Sequence, residues 1–169
     1  MNTDSFFSIV DRHAIAVLKV VRFTEAGNLE AAAMAQQVAD DLAVAGDVYL
    51  WECLTGKRKV KAISGLRFHD HRQAEGKWPG KKAAGEEPQT IMECAGLLAA
   101  GHAEHWSIQT KIQTLKKLID GAPDLPDVTI LQAEFVTCQR RLDVLNQIRS
   151  DLIQKGDAML KEAIDGRKA

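Results

Sequence analysis

Residues Leu131 to Ala163 read LQAEFVTCQRRLDVLNQIRSDLIQKGDAMLKEA. Within them Leu131, Phe135, Cys138, Leu142, Leu145, Arg149, Leu152, Gly156, Met159 and Ala163 recur at alternating intervals of four and three. That is the period of one face of an α-helix, sustained over 33 residues. Pro126 and Asp127 precede it, a proline followed by an acid able to cap the first turn, so the spacing predicts one helix to about Asp165. At 1.5 Å per residue that helix is about 60 Å long. It is expected to outrun its neighbours, and an overhanging apolar stripe invites a second copy. A homodimer built on this helix is therefore expected, unless a bend at Gly156 folds its end back.

The same periodicity recurs upstream. Phe6, Val10, His13, Val17 and Val20 mark a first helix over about 6–23. Ala31, Met34, Val38, Leu42, Ala45 and Tyr49 mark the inward face of a second, Leu29 to Leu54, with Asn28 as its N-cap. A third runs from about Gln89 to Asp120, between Pro88 and the stop signal Gly121-Ala122-Pro123. Glycines and Pro79 place the main irregular connection at about 65–88. The fold class expected is an all-α antiparallel bundle of four principal helices with a long C-terminal helix and an irregular basic loop, residues 1–169 forming one domain.

Composition agrees. The 169 residues are 46 % hydrophobic and 27 % charged, with enough apolar material to offset the entropy of ordering. Four prolines and one tyrosine do not suit an all-β chain. No run approaches the ~18 apolar residues of a membrane span, and the N-terminus lacks a signal-peptide pattern. Cys53, Cys94 and Cys138 are odd in number and widely spaced, as in a reduced intracellular chain. The net charge of −1 conceals an asymmetry: Lys57 to Lys82 holds nine basic and two acidic residues, +7, which leaves −8 for the remainder.

A wheel at 100° per residue shows polar residues on the apolar faces. His102, His105 and Gln109 fall on the inward arc of the third helix, with Trp106 at its edge. Arg149 lies on the seam of the fourth and Asn146 at its border. His13 occupies a seam position on the first helix, and Asp41 and Glu52 flank the apolar arc of the second. Burying an unpaired charge is costly, so such groups on facing helices should meet one another or a ligand. His102, His105, Gln109, Asn146 and Arg149 are the candidate ligand-binding residues. An ion pair serving only the fold is the structural alternative.

A metal site is the alternative chemistry. His102 and His105, spaced i, i+3, could share an ion completed by His13, Asp41 or Glu52. The paired Glu-x-x-His of ferritin-like di-iron helices is missing, because Ala99 and His102 stand three positions before the two histidines. No cofactor is expected otherwise. No cysteine has an activating motif, and there is no P-loop, dinucleotide fingerprint or Cys-x-x-Cys. In the basic segment Lys57, Arg58, Lys59, Arg72, Lys81 and Lys82 could hold phosphates; a solvated, charge-balancing loop is the plainer account. General DNA binding is not expected at a pI of about 6.5.

The run Arg141 to Asp157 resembles the C-terminal signature of a bacterial family of helical proteins called domain of unknown function 4254, roughly R-x-I-D-x-L-N-x-x-R-N-D-x-I-E-x-I-D. Arg141, Asp143, Leu145, Asn146, Arg149, Asp151, Ile153 and Asp157 match, while Ser150 and Gln154 depart. Upstream, the family's Asn-x-x-Leu-Trp segment is matched only at Trp106. The likeness covers roughly residues 98–160. It implies an all-helical fold and a cytoplasmic bacterial chain, and it carries no activity.

Two functional classes follow. One is a homodimeric binding or interaction module for an anionic, phosphate-containing ligand or partner. The other is a metal- or His-dependent hydrolase of a phosphorylated small molecule. All-helical nucleotide pyrophosphohydrolases are disfavoured, because Gln36-Gln37-Val38-Ala39-Asp40-Asp41 replaces their magnesium-binding Glu-x-x-Glu. A purely structural bundle is the third possibility.

Overall fold

A computed structural model describes residues 5–61, 87–121 and 128–167. Four helices and no strands occur among them: α1 (Phe6–Glu25), α2 (Leu29–Leu54), α3 (Ile91–Gly121) and α4 (Val128–Asp165). Most of the expected irregular stretch lies outside the described residues; Pro88, at its end, is buried.

Local chemistry sets the helix ends. Ser5 Oγ accepts from the Ser8 N–H at 3.2 Å and starts α1. Gly27, at φ 73°, adopts a left-handed conformation that costs glycine nothing and turns the chain into α2. Asn28 then caps α2 as expected, its Oδ1 accepting from the Ala31 N–H at 3.1 Å. At the start of α3, Thr90 Oγ1 accepts from the Glu93 N–H, and Glu93 Oε2 accepts from the Gln89 N–H. This reciprocal arrangement satisfies two otherwise orphaned donors.

The helices form two tight pairs, α1 with α2 and α3 with α4, and α1 also packs across α3 and α4. One core cluster joins Phe7 of α1 to Cys94, Leu97 and Leu98 of α3 and to Ile148 and Leu152 of α4. A second joins Ile9, Tyr49 and Cys53 to Leu160 and Ile164. Gly156 does not bend α4, which runs unbroken to Asp165. Its missing side chain instead leaves room for Phe7, because a Cβ there would strike the ring.

The inward face read for α2 requires correction. Met34 is 68 % exposed and Val38 51 %, whereas Ala32, Ala35, Ala39, Gly46 and Cys53 are buried; Tyr49, on the expected face, is buried as read. Small side chains at intervals of three and four allow α2 to lie close against α1. Bulkier neighbours on either side are then turned outward. Leu42 and Ala45, also on the expected face, do pack against the second cluster.

Candidate functional site

Asp11 is the centre of the interior polar cluster. Its side chain is only 2 % exposed, one turn beyond Phe7 on the α1 face that meets α3 and α4. Arg149 of α4 grips it with two parallel bonds, Nε to Oδ1 at 2.7 Å and Nη2 to Oδ2 at 2.5 Å. This fork geometry is the strong form of an ion pair. His102 of α3 supplies a third contact, Nε2 to Oδ1 at 2.8 Å. A carboxylate can only accept, so Nε2 carries the hydrogen and Nδ1 is the second ring nitrogen. Three helices thus meet on one carboxylate.

The electrostatics follow from the contacts. Burial raises the Asp11 pKa, but the hydrogen bonds and positive charge of His102 and Arg149 outweigh it and hold the carboxyl below its ordinary value. The bond to Asp11 raises the Arg149 pKa against its own partial desolvation. His105, one turn along α3, moves the other way. Desolvation first, then repulsion from His102 and Arg149, lowers its pKa from 6.5, so its neutral form is favoured at pH 7.

Exposure rises outward from Asp11 across the cluster. The His102 side chain is 11 % exposed and that of Arg149 is 42 %, so the guanidinium straddles the boundary between interior and solvent. There a cleft of about 230 Å³ opens between α1, α3 and α4. Its polar lining is Lys19, His102, His105, Gln109, Asn146 and Arg149; its walls include Ile15, Leu18, Leu97 and Trp106. Among the described residues no carboxylate lines it, because Asp11 lies behind Arg149 and His102 rather than on the cleft surface.

All five candidate ligand-binding residues therefore line one cleft. Gln109 and Asn146 are more exposed than the wheel suggested and also border a shallower cleft between α3 and α4. The metal set does not assemble. Glu52 pairs with Arg58 at 2.9 Å, Asp41 is exposed and accepts from Gln37, and half-buried His13 does not line the cleft. Among the described residues no group of three or more His, Cys, Asp or Glu side chains is placed to hold a metal ion. Of the basic candidates, Lys57 and Lys59 are exposed, and Arg58 lies 4.8 Å above the Tyr49 ring. Arg72, Lys81 and Lys82 lie outside the described residues.

Three aspartates are buried; the sequence reading missed Asp11 and named Asp151 and Asp157 only as positions of the α4 resemblance, without a structural role. Asp11 sits with Phe7, Ile15 and Leu18 on a second α1 face, spaced four, four and three, beside the seam that was read. Asp151 and Asp157 are both 4 % exposed. Asp157 reaches across from α4 to accept the Phe7 N–H at 2.9 Å, satisfying the first turn of α1. Burial raises its pKa, with bonds from Ser5 and Phe7 acting against that shift. The three cysteines are buried and none is in a disulfide. Burial also raises the Cys94 pKa, which makes it a poor nucleophile.

Compared with protein-family models, curated proteins and solved structures, the chain matches none. No described helix is long and apolar enough to cross a membrane.

Proposed function

We propose that this chain is a binding protein for a small anionic molecule, with a phosphate or carboxylate head and a compact apolar body, held between α1, α3 and α4. The observation that carries this reading is the lining of the cleft: two cations, two imidazoles and two amides with no carboxylate among them. Asp11 holds two of Arg149's nitrogens and leaves the guanidinium's outer edge toward the cleft, where it can meet an anion. Asp11 thus acts as a positioning residue. His105, favoured neutral when the cleft is empty, gains a reason to protonate when an anion enters, so binding is expected to take up a proton. A cleft of about 230 Å³ lies below the usual ~300–1,000 Å³ of drug-sized pockets, which favours a small ligand.

The resemblance in α4 supports the choice of residues. Of the matching positions, Asn146 and Arg149 line the cleft and Asp157 ties α4 to α1. Membership of that bacterial family, and a cytoplasmic setting, belong to this proposal.

The experiment is a thermal-shift and calorimetric titration with inorganic phosphate, phenyl phosphate and benzoate. A raised midpoint with phenyl phosphate, reduced at least tenfold in affinity by His105→Gln, supports the reading. No response to any of the three at millimolar concentration overturns it. A second reading, a histidine-dependent phosphate-ester hydrolase, is favoured by a neutral His105 beside the Asp11–His102 pair. Turnover of p-nitrophenyl phosphate that disappears in His105→Gln would establish it over simple binding.

A further inference from the structure

Helix α2 packs on α1 through its alanine and glycine seam and turns a bulky apolar stripe the other way. Met34, Val38, Val44, Val48 and Trp51 are 51 % to 68 % exposed, large apolar side chains on one side of the helix interrupted by the Gln37–Asp41 pair. Its Met34 and Val38 end borders a groove of about 660 Å³ between α1 and α2, floored by Ile15, Ala16, Ala35 and Leu42. We infer that this α1–α2 face receives the same face of a second copy, forming a two-fold dimer of helical hairpins.

Charge identifies the occupant. Every charged residue of α2 is an acid: Glu30, Asp40, Asp41, Asp47 and Glu52. The α1 rim of the groove carries Arg12 and Lys19. A two-fold interface demands that each contact be returned, and the groove itself presents both signs, Arg12 and Lys19 on α1 and Asp41 on α2. With the hairpins crossed, α1 of one copy lies against α2 of its partner, and opposite charges meet around an apolar centre. The size is also adequate. The 20-residue α1 and 26-residue α2 are about 30 and 39 Å long, and side by side at about 10 Å spacing they offer about 700 Å², approaching the ~800 Å² per partner of a stable interface. This surface is separate from the α4 overhang expected from the sequence.

The test is the mass of the full chain in solution at tens of micromolar, by light scattering and sedimentation. Twice 18.6 kDa is expected. Val38→Lys is expected to return the chain to 18.6 kDa with its helical circular dichroism intact, whereas Val136→Lys on α4 leaves the dimer. Met34→Gln, a milder change at a second exposed position, reports on the same surface through a weakened dimer should Val38→Lys unfold. A monomeric wild-type chain, a dimer indifferent to both α2 variants, or one dissociated only by Val136→Lys overturns the inference.

Discussion

Helices α4 and α2 build their contacts in opposite ways. The α4 helix buries Leu145, Ile148, Leu152 and Leu160, whereas α2 up to Gly46 buries Ala32, Ala35, Ala39 and Gly46 and keeps Met34, Val38 and Val44 outside. It buries bulk only from Tyr49 on, where it meets Leu160 and Ile164 of α4. Their neighbours account for the difference. Large side chains of α4 fill the space between it, α1 and α3. The α2 helix pairs mainly with α1, at close range, where a leucine would push the backbones apart. Apolar content alone therefore does not identify the core-facing side of a helix. The separation of the backbones decides whether bulk or its absence is buried.

That contrast can be tested by substitution. The largest effect is expected at the contact with α4: Phe7, fully buried against Gly156, should cost about 3–5 kcal/mol as Phe7→Ala in urea unfolding. Next is the ion pair. Arg149→Ala strands a buried carboxylate and is expected to cost about 2–4 kcal/mol, reduced from the cost of a fully buried pair by the half-exposed guanidinium. Asp11→Leu combined with Arg149→Met should recover part of that loss, since no unpaired charge then remains. A double-mutant cycle in which the losses simply add would show that the pair is uncoupled.

On α2 two adjacent residues should behave oppositely. Ala39→Leu overpacks the seam and should cost about 1–3 kcal/mol, while Val38→Leu, next to it, should stay within about 0.5 kcal/mol. Equal costs at both would erase the distinction drawn between the two faces. The smallest effect concerns pH. His105 has a folded-state pKa below its ordinary 6.5, so the unfolded chain binds the proton more readily and stability falls as pH drops below about 6.5. The drop should be shallower in His105→Gln. Asp11 has the more acidic window: its carboxyl is held below its ordinary value of 3.8, and its contribution is lost as pH falls through that lower range.

The sequence revealed the helices because their signals are local. The 4–3 spacing of α4, Asn28 as a cap and the stop after Asp120 all act within a few residues. It also placed His102, His105 and Arg149 on inward faces, since a polar interruption of a long seam is visible on a wheel. Asp11 escaped because α1 uses two faces, one toward α2 and one toward α3 and α4, and a single best seam hides the other. Met34 and Val38 were placed inward, and Asp41 with Glu52 beside them, because reading α2 by bulk turns its first half away from the alanine seam, although Leu42, Ala45 and Tyr49 were read correctly. Asp157 acts through a partner 150 residues away, a relation that local spacing does not encode.

The bond between Phe7 and Asp157 bears on how the chain is made. Helix α1 is synthesised before α4 yet is completed only by it. Its Phe7 ring awaits Gly156, its first-turn N–H awaits Asp157, and its Asp11 awaits Arg149. Any product terminated before residue 149 therefore carries an apolar ring and a carboxylate that lack their α4 partners, features that cellular quality control can recognise. Closure of the fold reports, in effect, that translation has reached the end of α4.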